Sequence, residues 1–82
     1  MSKNILVVNS GSSSIKFSLF EMQQGVERAS GLAERLGDDD AQLTIKFDAE
    51  KLSIPLIKSD YQSTLMVIIE QLTQLGLLET LL

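Results

Sequence analysis

Asn4-Ile5-Leu6-Val7-Val8-Asn9-Ser10-Gly11-Ser12-Ser13-Ser14-Ile15-Lys16-Phe17-Ser18-Leu19-Phe20-Glu21-Met22 holds two apolar segments on either side of five small residues. Asn4 to Asn9 is a continuous apolar run rich in β-branched residues, the pattern of a central strand covered on both faces. The small residues Ser10 to Ser14 follow; they suit a turn and have no bulk to build a core. Ile15 to Met22 reads as a second strand, with Ile15, Phe17 and Leu19 on one face and Lys16, Ser18 and Phe20 on the other. The connection is too short for a crossover, so the two strands are expected to pair antiparallel.

Working outward, Gln23-Gln24-Gly25 turns the chain into a third strand, 26–36, in which Gly31 and Ala33 permit close backbone approach. Leu36-Gly37 and Asp38-Asp39-Asp40 make the next loop. Leu43, Ile45 and Phe47 then alternate with Gln42, Thr44 and Lys46, a period-two signal that predicts a strand over 42–47. Asp48-Ala49-Glu50 closes a hairpin onto a strand over 51–57, where Pro55 cannot donate to a ladder and so marks a sheet edge. Ser59 or Asp60 is expected to cap a helix over 60–75, with Gly76 as its stop. Its expected core stripe is Leu65, Ile68, Ile69, Leu72 and Leu75, widened by Met66 and Val67. The apolar ending Leu77-Leu78-Glu79-Thr80-Leu81-Leu82 reads as a cut chain.

Composition narrows the function classes. With 82 residues the chain is one small domain at most, and such a domain buries only roughly 60–65% of the surface its unfolded chain exposes. Yet 44% of the residues are apolar, which points to a surface covered by something further. There is no cysteine, hence no disulfide or thiolate metal site, and no histidine, hence no Ser-His or Cys-His nucleophile pair. A net charge of −4 argues against nonspecific nucleic-acid binding. The N-terminal apolar run is too short for a signal sequence or a membrane span, so the default expectation is a cytoplasmic location.

The chemistry lies in the first turn. Gly11 has no Cβ and lets a ligand approach the backbone, and successive amides in a turn can form an anion-binding concavity. Ser12, Ser13 and Ser14 carry short-reach hydroxyl donors, and Lys16 brings a compact positive charge suited to a terminal phosphate. Asn9 offers a neutral oxygen for a hydrated Mg²⁺. On composition alone, a Gly- and Ser-rich turn between strands is more often simply a turn. Nor is this a Walker A loop, since it lacks the Gly-Lys-Ser/Thr ending and leads into a strand. The remaining charges have plainer readings: Asp38, Asp39 and Asp40 as a solvated loop, Lys46, Lys51 and Lys58 as solvent-facing charges, Arg28 and Arg35 on a strand surface.

Asn9-Ser10-Gly11-Ser12-Ser13-Ser14-Ile15-Lys16-Phe17 resembles the N-terminal signature of the acetate kinase family, which includes propionate kinases. The resemblance places the chain in the superfamily of sugar kinases, heat-shock chaperones and actin, where many members carry Asp at the position of Asn9. It is specific from the N-terminus to Met22 and holds in pattern along the rest. It implies an α/β fold: the N-terminal part of an actin-like ATPase (ribonuclease H-like) domain, with antiparallel strands 1–3, a second hairpin and one helix.

By the same resemblance, Asn9 helps hold Mg²⁺, Lys16 contacts the ATP phosphates, and Gly11, Ser12 and Ser14 line the phosphate pocket. The reaction implied is reversible phosphoryl transfer between ATP and acetate, giving ADP and acetyl phosphate, with propionate kinase as the neighbouring alternative. A noncatalytic phosphate- or nucleotide-binding module and a structural domain with a plain serine turn are readings from other classes. Parts for carboxylate binding, transition-state charge and adenine would lie beyond Leu82, so no catalytic residue is expected here and the chain alone is expected to be inactive. Family members are expected to be homodimers, and the exposed strand edges predict self-association of this chain.

Overall fold

A computed structural model describes residues 4–57 and 60–77. Five strands and one helix follow in chain order: β1 Asn4–Ser10, β2 Ile15–Glu21, β3 Val26–Glu34, β4 Gln42–Phe47, β5 Glu50–Pro55 and α1 Tyr61–Gln74. The strands form one antiparallel sheet in the order β1-β2-β3-β4-β5, so each pairs with its neighbour in sequence. Antiparallel pairing needs only short turns, and the sequence supplies one after every strand.

Alternation along the strands sends one side-chain set to a single core. Ile15, Phe17 and Leu19 of β2, Ala29 and Ala33 of β3, and Leu43 and Ile45 of β4 are buried together with Ile68 and Leu72 of α1. Gly31 belongs to the same face, directly opposite Phe17 on one side and Ile45 on the other. A Cβ built there would overlap the Phe17 ring and stand 2.5 Å from the Thr44 carbonyl oxygen. Glycine at 31 is therefore what lets the aromatic ring lie flat against the sheet.

The opposite face of the sheet is open among the described residues. β1 does not sit in the middle of the described sheet but at its edge, and Ile5 and Val7 are 44% and 42% exposed. This corrects the expectation of a strand covered on both faces. Only Leu6 and Val8, on the core side, pack against buried residues. At the other edge lies β5 with Pro55, as its missing N–H requires.

Turn chemistry fixes the ends of the elements. β3 stops at Glu34, short of 36, because Arg35 takes a left-handed conformation with φ 58°. The β4–β5 hairpin turns on Asp48 and Ala49, both at positive φ (48° and 63°), with Phe47 opposite Glu50. Two central residues of that kind make the primed turn that matches strand twist; Glu50 already belongs to β5.

Asp60 caps α1, its carboxylate accepting from the Ser63 amide at 3.1 Å; Ser59 lies outside the described residues. At the far end Gly76, at φ 75°, lets the Leu77 amide reach the Leu72 carbonyl (3.0 Å) while its own amide reaches Thr73 (3.0 Å). That pair of bonds is the Schellman arrangement. The Asn4 side-chain amide donates to the Leu77 carbonyl at 2.9 Å, tying the start of β1 to the end of the helix.

The buried stripe of α1 is Thr64, Ile68 and Leu72, flanked by Leu65, Val67 and Leu75. Thr64 replaces Ile69 in the expected stripe, and Ile69 and Met66 face out at 44% and 65% exposure. One sheet offers the helix one surface, which is narrower than the apolar arc of its sequence. Among the described residues no helix is long and apolar enough to cross a membrane.

Candidate functional site

The β1–β2 connection is a four-residue loop, Gly11 to Ser14, between the paired residues Ser10 and Ile15. The Gly11 amide donates to the Ser14 carbonyl at 2.8 Å, closing the loop on itself. Ser14 is half-buried, and its Oγ stands 3.0 Å from where a Cβ on Gly11 would project. A side chain at position 11 would press on that hydroxyl, which gives Gly11 a local reason beyond flexibility. Ser12 and Ser13 are exposed. Among the described residues, the amides of Ser12, Ser13 and Ser14 meet no backbone carbonyl, so three donors at the loop tip remain for a ligand or water.

Register brings the two distant candidates together. Asn9 and Lys16 are direct partners across β1 and β2, and both are exposed on the open face. Opposite residues in such a pair hold their Cβ atoms about 4.5–5.5 Å apart. An amide oxygen and an ammonium group thus flank the base of a loop with free donors. The expected site residues Asn9, Gly11, Ser12, Ser14 and Lys16 all fall at one end of one hairpin. Lys16 also lines a hollow of about 340 Å³ on the open face, with Ser30, Leu32, Glu34, Thr44, Lys46 and Lys51.

A tether invisible in the sequence shapes the loop from below. The Leu36 amide donates to the Ser13 carbonyl at 3.0 Å, coupling the loop to the β3–β4 connection. That connection is itself folded, with bonds from Asp38 to Arg35 (3.1 Å), from Ala41 to Asp38 (3.2 Å) and from Leu56 to Ala41 (2.9 Å). The Arg35 guanidinium donates to Asp40 at 2.5 Å, and that hydrogen bond, with the charge of Asp40, raises the arginine further above its ordinary range. Arg35 is therefore engaged with Asp40 rather than lying on a strand surface. Asp38, Asp39 and Asp40 are exposed, and among the described residues no group of three or more acidic, His or Cys side chains is placed to hold a metal.

The family model of the acetokinase family matches residues 4–81. The acetate kinase of Helicobacter pylori (strain Shi470) is 44% identical over 79 residues, spanning 92% of this chain and 20% of that protein. The propionate kinase of Citrobacter freundii is 38% identical over 81 residues, spanning 99% of this chain and 20% of its own length. Among solved structures, a propionate kinase from Francisella tularensis subsp. tularensis SCHU S4 superposes with a TM-score of 0.81 at 27% identity, covering 90% of this chain and 19% of that one. This chain thus spans about 20% of the length of the curated relatives it matches. Its α/β fold is the N-terminal part of an actin-like ATPase (ribonuclease H-like) domain. With a match running from the first described strand to within one residue of the C-terminus, the chain belongs to the acetokinase family.

Proposed function

We propose that this chain supplies the phosphate-binding wall of an acetate kinase, an enzyme that moves a phosphoryl group reversibly between ATP and acetate. The observation that carries this reading is the register of Asn9 against Lys16 at the base of a loop with three free amides. Phosphoryl transfer asks a protein chiefly for positioning and charge stabilisation. Lys16 would neutralise phosphate oxygens, while the hydroxyls of Ser12 and Ser14 and the loop amides donate to them. Gly11 keeps the approach to the backbone clear.

Magnesium fits this donor set in one way only. Asn9 is exposed and neutral, and the described residues hold no acidic cluster around it. Such a site suits an ion that keeps most of its waters and is held largely by substrate phosphate, with Asn9 orienting it. Bound there, the ion would offset phosphate charge.

The carboxylate substrate is the point where a second reading stands beside the first. A propionate kinase is among the similar sequences at 38% identity, and another is among the similar solved structures. We infer the family's phosphate chemistry from these residues and leave acetate and propionate as alternatives of the same transfer.

The chain carries no residue to which we assign catalysis, and we expect it to be inactive alone. Acetate-dependent ADP formation from ATP should be at background, and turnover by the purified chain, with contaminating kinase excluded, would overturn this. Titration with Mg-ATP should give saturable binding seen at Gly11 to Ser14. Absence of binding would remove the phosphate reading and leave a plain turn.

A further inference from the structure

We propose that the open face of the sheet holds an anion site centred on Lys46 and Lys51, beside the serine loop and sharing Lys16 with it, that takes a small polyphosphate-type oxyanion. Lys46 and Lys51 stand directly opposite each other across β4 and β5. Like charges in that position repel and weaken the sheet, so the arrangement works against the hairpin that carries it. Among the described residues neither lysine has an ion-pair partner.

The row continues inward with hydroxyls. Ser18 pairs with Ser30, Ser30 with Lys46, and Lys46 with Lys51, all on the open face. The hollow of about 340 Å³ over this face is lined by three lysines, 16, 46 and 51, against one acid, Glu34. Its volume lies at the lower end of small-ligand sites. An adjoining hollow of about 460 Å³ shares Ser30, Lys46 and Lys51 and adds Arg28, but also Glu27, Asp48 and Glu50 toward the hairpin tip. The cationic excess is therefore in the first hollow. Two lysines about 5 Å apart at Cβ, each a compact donor of three N–H groups, match an anion with two charged ends.

The test is a titration of the isotope-labelled chain with inorganic pyrophosphate at low ionic strength, where such a site is least screened. Saturable shifts are expected at the amides of Ser30, Thr44, Lys46 and Lys51. The double variant Lys46→Gln/Lys51→Gln should bind about tenfold more weakly or worse, and Lys46→Arg/Lys51→Arg should still bind. Lys51→Glu, which sets an acid opposite Lys46, should raise the melting temperature and lose pyrophosphate. Equal affinity in the double Gln variant, or a Lys51→Glu chain no more stable than the parent, would overturn the proposal. Shifts confined to Gly11 to Ser14 would also overturn it while leaving the loop reading in place.

Discussion

Asn9 and Lys16 face each other across the first two strands, at the root of the loop that Gly11 closes onto Ser14. Their proximity follows from the register of two strands paired from Asn4 with Glu21 through Ser10 with Ile15. A one-residue slip of β1 against β2 would turn Asn9 to the core face, away from Lys16, and the core residues of β1 outward. The packing of Ile15, Phe17 and Leu19 therefore fixes the geometry of the polar pair. The hydrophobic face and the candidate site are two consequences of one register.

Gly31 is the position where that packing is least forgiving. Gly31→Ala brings a methyl group into the Phe17 ring and against the Thr44 carbonyl oxygen. Overpacking of this kind costs about 1–3 kcal/mol and sometimes more, and we expect the upper end because one neighbour is backbone. Urea denaturation should show a lower midpoint for the variant with an unchanged slope. Adding Phe17→Leu should recover only part of the loss, since Thr44 remains.

Ala49 points the other way. It holds φ 63° in the hairpin turn, where an L side chain is strained. Left-handed backbone costs a non-glycine residue roughly 1–2 kcal/mol, and glycine's extra freedom in the unfolded chain offsets roughly 0.5–1 kcal/mol of the relief. Ala49→Gly should stabilise by about 0.5–1 kcal/mol, read as a higher denaturation midpoint with an unchanged slope. A lower midpoint would mean the turn does not adopt this conformation in solution.

Association should accompany folding. β1 is an edge of the described sheet and shows Ile5 and Val7 to solvent, the combination that invites pairing with another chain. Sedimentation should reveal concentration-dependent self-association, reduced by Val7→Lys. A stable monomer at high concentration would contradict this.

Much of this architecture was legible in the sequence because alternation is a physical constraint. Leu43 and Ile45 against Thr44 and Lys46 gave β4 and its buried face, and Ile15, Phe17 and Leu19 did the same for β2. Gly76 and Asp60 marked the helix ends through backbone chemistry local to them. The exposed face of β1 is not legible, because an unbroken apolar run has no period from which to tell one covered face from two. The apolar arc of α1 is wider than its buried stripe for a related reason, and Thr64 is buried although a polar residue gives no apolar signal. The Leu36 bond to Ser13 and the Asn4 bond to Leu77 leave no local signal, since they join segments far apart in the chain. For the candidate site, residue types and the family resemblance nominate the parts, while the loop's tether to the β3–β4 connection is seen only in the structure.

Lys16 and the loop beside it are proposed to grip nucleotide phosphates. Titrating Mg-ATP into the parent chain and into Lys16→Ala, followed at the amides of Gly11 to Ser14, tests this most directly. Lys16 is exposed and its replacement should leave the core packing intact. Saturable shifts are expected in the parent and about tenfold weaker binding or worse in the variant, the loss of one charged hydrogen bond. Equal binding by both chains, or an unmoved loop at saturating Mg-ATP, would contradict this.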